Sequence, residues 1–326
     1  MKKQRVLIID GDLVAYRSAA AIEKRTIIAK HLASGRTKDF NTRTELKELL
    51  KSKGMEYNKD DYEITDIQTP EDISHALYII KNLVKSLENI SNSERTEICI
   101  GSGETFRHRL ALPSPYKDNR QGTRPVHLQA ARDYLMKNYT CSYIKDIETD
   151  DAITIKAYEE KSKGNTPILA SLDKDAQGTQ GITVLNWMKD SEFEALEEIP
   201  LVGSLWKDKT DIKGNGLKFI AFQVLAGDKA DTYQGYELSK LPYGPTKALK
   251  ALESAQTEQE VLAVVIDQFK LLYPSEFVYT DCHGMECQAT WKDMLEMYWK
   301  CAYMKRSWDD ESNFWEFAKE RGITNE

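Results

Sequence analysis

The chain has 326 residues, of which 41% are hydrophobic and 30% charged, the balance of an ordinary globular protein long enough for one large or two modest domains. No apolar run approaches the roughly 18 residues of a membrane span. The basic start Met1–Arg5 is followed by only four apolar residues before Asp10, short of the about 7–15 of a secretory core, so a monomeric cytoplasmic protein without a membrane partner is expected. The five cysteines are odd in number, and Cys282, His283 and Cys287 lack a fourth ligand at finger spacing, so reduced thiols rather than zinc are expected.

In chain order, residues 5–9 read as a strand ending at Asp10-Gly11-Asp12. Residues 24–68 are polar and read as irregular, apart from a Ser34-Gly35 turn and a helix from Arg43 to Lys51 capped by Thr42 with Glu45. Thr69-Pro70 reads as the start of a second helix, with Ile73, Leu77, Ile80, Val84 and Leu87 on one face. A strand at Glu97–Gly101 leads into a basic, proline-containing segment from Arg107 to Pro125, and then a helix to about Lys137. Tyr143-Ile144 precedes the acidic run Glu148-Thr149-Asp150-Asp151, which opens an apolar helix. Ile168–Leu172 precedes Asp173-Lys174-Asp175, and Thr183–Leu185 is a further strand. This alternation predicts an α/β fold with a mainly parallel sheet flanked by helices. After about 210 the composition changes, and helices are expected near 217–226, 245–253 and 257–272. The stripe Trp291, Leu295, Tyr298, Trp299 reads as core packing. The expected division is a core over 1–210 and a helical region over 211–326.

Eight carboxylates trail these apolar runs: Asp10, Glu148, Asp150, Asp151, Asp173, Asp175, Asp228 and Asp231. Ligands of open α/β sheets bind beyond the carboxyl ends of the strands, so the acids should meet there. Crowded like charges stay ionised only with cations among them, and oxygen donors select Mg²⁺, with Mn²⁺ as a substitute. Two such ions about 4 Å apart clamp the attacking and leaving oxygens in phosphoryl displacement, and two acidic motifs suit two ions. Net charge −7 speaks against a nucleic-acid partner, but setting the eight acids aside moves the balance to +1. Arg107, His108, Arg109, Lys117, Arg120 and Arg124 form a basic cluster. Within it, Lys117 and Arg120 are candidates for the scissile phosphate and Tyr116 for stacking on a terminal base. A competing reading rests on Asp10-x-Asp12-x-Val14, which resembles the nucleophile motif of haloacid-dehalogenase phosphatases. That chemistry needs neither Glu148-x-Asp150-Asp151 nor Asp173-x-Asp175.

Taken together, Asp10-Gly11, Phe106-Arg107, Tyr116-Lys117-x-Asn119-Arg120, Glu148-x-Asp150-Asp151, Ser171-x-Asp173-x-Asp175 and Gly227-Asp228-x-x-Asp231 resemble, in order, the motifs of the 5′-nuclease family. That family comprises flap endonucleases and 5′→3′ exonucleases, and the nearest likeness is to phage replication exonucleases. The resemblance implies a PIN-like core with a basic helical arch over about 105–125, and a degenerate helix–three-turn–helix element in the C-terminal part. It implies hydrolysis of DNA, or of RNA in an RNA–DNA hybrid, at a 5′ end, nick or flap, and, for a phage protein, action in the host cytoplasm. Asp10, Glu148 and Asp150 would hold one ion, and Asp151, Asp173, Asp175, Asp228 and Asp231 the other. Arg107, Arg124, Gly244 and Lys247 would bind DNA. Two departures stand out: Ser102, in Gly101-Ser102-Gly103-Glu104, replaces a family carboxylate, and the glycine-rich hairpin before Gly244 is altered. Asp12 falls where the family has no ligand. Ser102 alone suggests a DNA-structure-binding protein without cleavage.

Overall fold

The computed structural model describes residues 3–119, 122–187 and 196–324. The chain begins with β1 (Arg5–Asp10), α1 (Gly11–Ala21), β2 (Glu23–His31), β3 (Thr37–Phe40), α2 (Arg43–Ser52), β4 (Tyr62–Pro70) and α3 (Ile73–Ser91). It continues through β5 (Arg95–Thr105), α4 (Leu128–Asn138), β6 (Cys141–Asp146), α5 (Thr149–Ser162), β7 (Thr166–Ala170), β8 (Thr183–Leu185) and β9 (Leu196–Glu198). A hairpin, β10 (Leu205–Asp208) and β11 (Asp211–Gly214), precedes α6 (Gly216–Ala226), α7 (Pro245–Leu252) and α8 (Glu258–Leu272). The last elements are β12 (Phe277–Thr280), β13 (Glu286–Ala289), α9 (Trp291–Ala302) and α10 (Phe314–Lys319). The chain divides into two compact units: residues 1–13, 85–122 and 136–326, and residues 14–84 with 123–135. No described helix is long and apolar enough to cross a membrane.

The first unit is built on a six-stranded sheet of order β6-β5-β1-β7-β8-β9, parallel except for β9. Central β1 pairs on both edges and is buried from Val6 to Ile9, so it carries an unbroken apolar run rather than an alternating one. On this sheet α5 lays Ala152, Ile153 and Ala157 against a core containing Val6, Ile8 and Leu169. A second core surrounds α6, which is buried along its whole length, with Leu252, Val261, Val265, Phe269, Leu295, Tyr298 and Trp299. Three of the four aromatic-stripe residues therefore lie in this core, and Trp291 packs against its edge.

In the second unit, residues 24–68 are not irregular. They form the antiparallel sheet β3-β2-β4, whose small apolar face, Ile27, Ala29 and Phe40, is covered by Leu46 and Leu50 of α2. Only one face of this sheet is apolar, and its hydrophobic positions are few enough to be lost among the charges. Pro70 does not start a helix: it ends β4, an edge strand that tolerates the missing N–H, and α3 begins at Ile73 after Asp72 accepts from the Ser74 amide at 2.9 Å.

The basic segment also departs from expectation. Among its described residues up to Asn119 it contains one 3₁₀ turn, Phe106–Arg109, and no α-helix, because Pro113 and Pro115 interrupt the run that an arch helix would need. Arg120 lies outside the described residues.

Candidate metal centre

Four chain segments deliver acids to the carboxyl ends of the central strands. β1 ends on Asp10, whose Oδ1 accepts from the Leu13 amide at 3.0 Å. Glu148 is the N-cap of α5, and Asp150 sits in its first turn. Beyond β7, Ser171 Oγ accepts from the Asp173 amide, and Asp173 Oδ1 caps the 3₁₀ turn Lys174–Gly178 by accepting from the Asp175 amide, both at 3.0 Å. After α6, Gly227 adopts φ +79, where a Cβ would lie 2.1 Å from the Tyr233 carbonyl oxygen. Only glycine permits the chain to close the Asp228–Tyr233 bridge that holds Asp228 and Asp231 together.

Carboxylate oxygens of Asp175, Asp228 and Asp231 lie within 4.8 Å of one another. Lys174 reaches across this group, 3.1 Å from Asp175 Oδ1 and in contact with Asp228 Oδ2, and Gln223 donates to Asp175 at 2.6 Å. Burial lowers the affinity of the Lys174 amine for its proton, but the neighbouring Asp175 and Asp228 charges overcome this and hold it protonated well above the usual lysine range. Burial and neighbouring carboxylates raise the pKa of Asp10, Asp150 and Asp173 alike. Burial, then repulsion from Asp12 and Asp173, lifts Asp10 to about 7, and burial, then Asp175, lifts Asp173 to about 6. Asp150 is pushed well above the carboxylate range by burial and then by Asp173, Asp10 and Glu148. Its Oδ1 is buried with no hydrogen-bond partner.

These features fit a hard divalent cation. An orphaned buried carboxylate oxygen and an all-oxygen donor set with no His or Cys are what Mg²⁺ or Mn²⁺ would satisfy. A carboxylate whose folded pKa exceeds its unfolded value of about 3.9 favours the folded state below that pH, and this contribution is lost as pH rises through the folded pKa. Without metal, Asp10→Asn should therefore gain thermal stability relative to the parent as pH rises from 5 to 8, and added Mg²⁺ should shrink the gain. A melting-temperature difference that is flat with pH would show that Asp10 titrates normally.

Asp151 does not join this group. Its two oxygens accept four hydrogen bonds: from Arg107 at 2.5 and 3.1 Å, the Glu148 amide at 3.2 Å and the Lys305 amide at 3.0 Å. No lone pair remains for a cation. Arg107 is correspondingly not a DNA contact: it is fully buried, and it also donates to the Lys300 and Tyr303 carbonyls at 2.9 and 2.8 Å.

Tyr116 is 4% exposed, edge-on to His108 and stacked near Tyr233, so it offers no face to a base. Its hydroxyl instead donates to Asp231 at 2.8 Å, with Glu148 at 3.3 Å as an alternative acceptor for the same proton. Lys117 pairs with Glu148 and lies 3.8 Å from Asp231. The segment is fastened to the Asp228–Asp231 loop by three further bonds: Lys117 N–H to the Asp231 carbonyl, Asp118 N–H to Thr232 Oγ1 and Asn119 Nδ2 to the Lys229 carbonyl, at 3.0, 3.0 and 2.9 Å. These bonds hold Lys117 at φ +58, a conformation costly for a side-chain-bearing residue.

Asp12 supports the centre from outside. Its Oδ2 accepts from the Gly101 amide at 2.8 Å and Thr149 Oγ1 at 2.6 Å, tying the end of β5 to the start of α5. Ser102 is exposed, and its hydroxyl donates to the Glu104 carbonyl at 3.3 Å. Gly244 is the N-cap of α7, and Lys247 in its first turn is exposed, its amine bonded to the Pro242 carbonyl. Arg124 is exposed in the second unit. Sequence reasoning passed over Lys174 and Gln223, although Lys174, set between two of the acids, carries a visible signal.

The class defined by this fold and site is a mainly parallel α/β protein with a carboxylate centre at its strand ends. No protein-family model and no curated protein matches the chain. Its structural neighbours are the T5 flap endonuclease and 5′-exonuclease. A T5 protein crystallised with metal ions is 15% identical, with 81% of this chain and 79% of that one covered at TM-score 0.46. A lysine-to-alanine mutant of the T5 5′-exonuclease is 13% identical, covering 93% and 88% at 0.45. The bacteriophage T5 flap endonuclease, in a pseudo-enzyme–product complex with DNA and metal ions, is 14% identical, covering 82% and 89% at 0.42. Likenesses of this size carry no argument about chemistry, which rests on the site.

Proposed function

We propose that the protein is a Mg²⁺-dependent 5′ nuclease, hydrolysing phosphodiester bonds of DNA at or near a 5′ end, nick or flap, with RNA in hybrids as a further substrate. The observation that carries this reading is the buried, unpartnered Asp150 oxygen among six other cation-seeking carboxylates, with the Lys117 ammonium beside them. When bound, two divalent ions would stabilise the attacking and leaving oxygens of an in-line displacement. Asp10, Glu148 and Asp150 would hold one, and Asp173, Asp175, Asp228 and Asp231 the other. Lys174, which now neutralises Asp175 and Asp228, would give way to the second. Lys117 would turn from Glu148 to the scissile phosphate, joined by Arg120, with Tyr116 fixing Glu148 and Asp231. Gly244, Lys247 and Arg124 would contact the DNA backbone, and residues 211–326 would supply most of the duplex grip.

The test uses 5′- and 3′-labelled duplex, nicked and flapped DNA, with and without Mg²⁺ and chelator. Release from the 5′ side that stops with chelator is expected. No release would leave a DNA-structure-binding protein. Phosphomonoester hydrolysis lost in Asp10→Asn and kept in Asp173→Asn would move the assignment to a dehalogenase-type phosphatase.

Lys117→Ala should slow the single-turnover rate by about 10²-fold, the scale of losing one donor to transition-state charge. Affinity for DNA should change little. An effect confined to affinity would make Lys117 an ordinary phosphate contact.

A further inference from the structure

A cavity of about 520 Å³ opens between the β10–β11 hairpin and α7, away from the carboxylate motifs in sequence and lined by none of them. Its lining includes Trp206, Lys207, Lys218, Thr246 and Lys250. Thr246 and Lys250 are four residues apart on α7 and so share a face. Lys218 comes from α6 and is only 8% exposed, yet its ammonium makes a single long hydrogen bond, 3.4 Å to the Glu253 carbonyl. A lysine has three N–H donors, so this ammonium has room for further acceptors, and Glu260, the carboxylate whose charge it feels, makes no ion pair with it. Neither Lys218, Lys207 nor Lys250 forms an ion pair among the described residues. Against these three cations the lining offers one carboxylate, Glu253. On the hairpin, Trp206 is 44% exposed although neighbouring Leu205 packs into the core.

An anion with several acceptor oxygens would satisfy this arrangement, and a flat aromatic beside a cationic groove is how proteins hold unpaired nucleotides. We propose that the cavity binds a single-stranded segment of nucleic acid, with Lys207, Lys218 and Lys250 on a phosphodiester group and Trp206 stacked on an adjacent base. The choice of nucleic acid over another polyanion rests on the nuclease reading, which places Gly244 and Lys247 of the same helix on DNA.

The experiment measures anisotropy of a labelled single-stranded oligothymidylate in chelator over a range of salt, so that cleavage plays no part. Lys207→Ala/Lys250→Ala alters only exposed side chains and should weaken binding about tenfold or more. It should also lower the slope of log affinity against log salt by about 1.4, the value for two lost contacts to a single strand. Trp206→Ala should weaken binding about tenfold with the slope unchanged, and Trp206→Phe should restore part of the loss. Hydrolysis of blunt duplex should be unaltered in Trp206→Ala and Trp206→Phe. Unchanged affinity and slope would overturn the proposal. So would lysine-dependent binding of inorganic phosphate without binding of the oligonucleotide, which would mark a free-phosphate site. Absence of cleavage in every assay, with the binding results as expected, would overturn the nuclease reading and leave the cavity's role standing.

Discussion

Asp150→Asn should abolish metal-dependent hydrolysis, by about 10³-fold or more, beyond the 10–100-fold typical of losing an outer partner of a metal site. The reasoning starts from the unpartnered oxygen. Asp150 Oδ1 is buried without a hydrogen bond while Asp173, Asp10 and Glu148 repel its charge. That arrangement is unfavourable for the bare protein and is relieved by a cation. Asparagine matches the shape and removes the charge, so affinity for the DNA backbone, which the proposed function assigns to basic residues elsewhere, should stay within about twofold. Two thermal readouts separate a metal role from a folding role. Without metal, the variant should melt at or above the parent temperature, because repulsion within the cluster is reduced. With saturating Mg²⁺, the parent should gain more stability than the variant, as linkage requires of a ligand bound more tightly by the parent. Full activity in Asp150→Asn, or a variant that melts well below the parent without metal, would sink the assignment of Asp150.

Arg107→Ala should produce the largest loss of stability, about 3–5 kcal/mol, because it leaves Asp151 buried and charged without its partner. For a chain of this size the melting temperature should fall by about 4–7 °C. Removing both charges, in Arg107→Ala/Asp151→Ala, should cost less than the sum of the two single changes, since neither then strands the other. Metal affinity should also fall in Arg107→Ala, because Asp151 accepts from the Glu148 amide and so holds the start of α5 where Glu148 and Asp150 face the centre. If Arg107 were a DNA contact, as its place in the basic segment suggests, the variant would melt normally and lose only DNA affinity. The burial of Arg107 points to the first outcome.

Much of this was legible in the sequence because apolar strands followed by acids carry their own signal. The strands at 5–9, 97–101 and 168–172, the acids at their ends and the helices after 215 follow from hydrophobic runs and their terminators. Which way an acid faces does not. Asp150 and Asp151 are adjacent in the first turn of α5, about 100° apart around its axis, so one meets the other carboxylates and the other meets Arg107. Spacing alone cannot assign the two roles. Tyr116 and Arg107 were misread for a related reason: a basic, aromatic run looks alike whether it faces solvent or is folded inward, and only the tertiary partners, Asp151, Asp231 and the Lys300 and Tyr303 carbonyls, decide. The small antiparallel sheet of residues 23–70 was missed because its apolar face is carried by too few residues to show a period against the charges.

The partners of Arg107 have a consequence for synthesis. Its two backbone acceptors, Lys300 and Tyr303, follow it by 193 and 196 residues, and the Lys305 amide that completes Asp151 follows by 154. Contacts this distant along the chain are among the last that folding can make, since the intervening loop must be closed first. While the chain is still emerging from the ribosome, the Arg107 guanidinium lacks two of its acceptors and α5 lacks its full anchor, although every carboxylate of the centre has already been translated. Full anchoring of the start of α5, and with it of Glu148 and Asp150, therefore waits on residues 300–305.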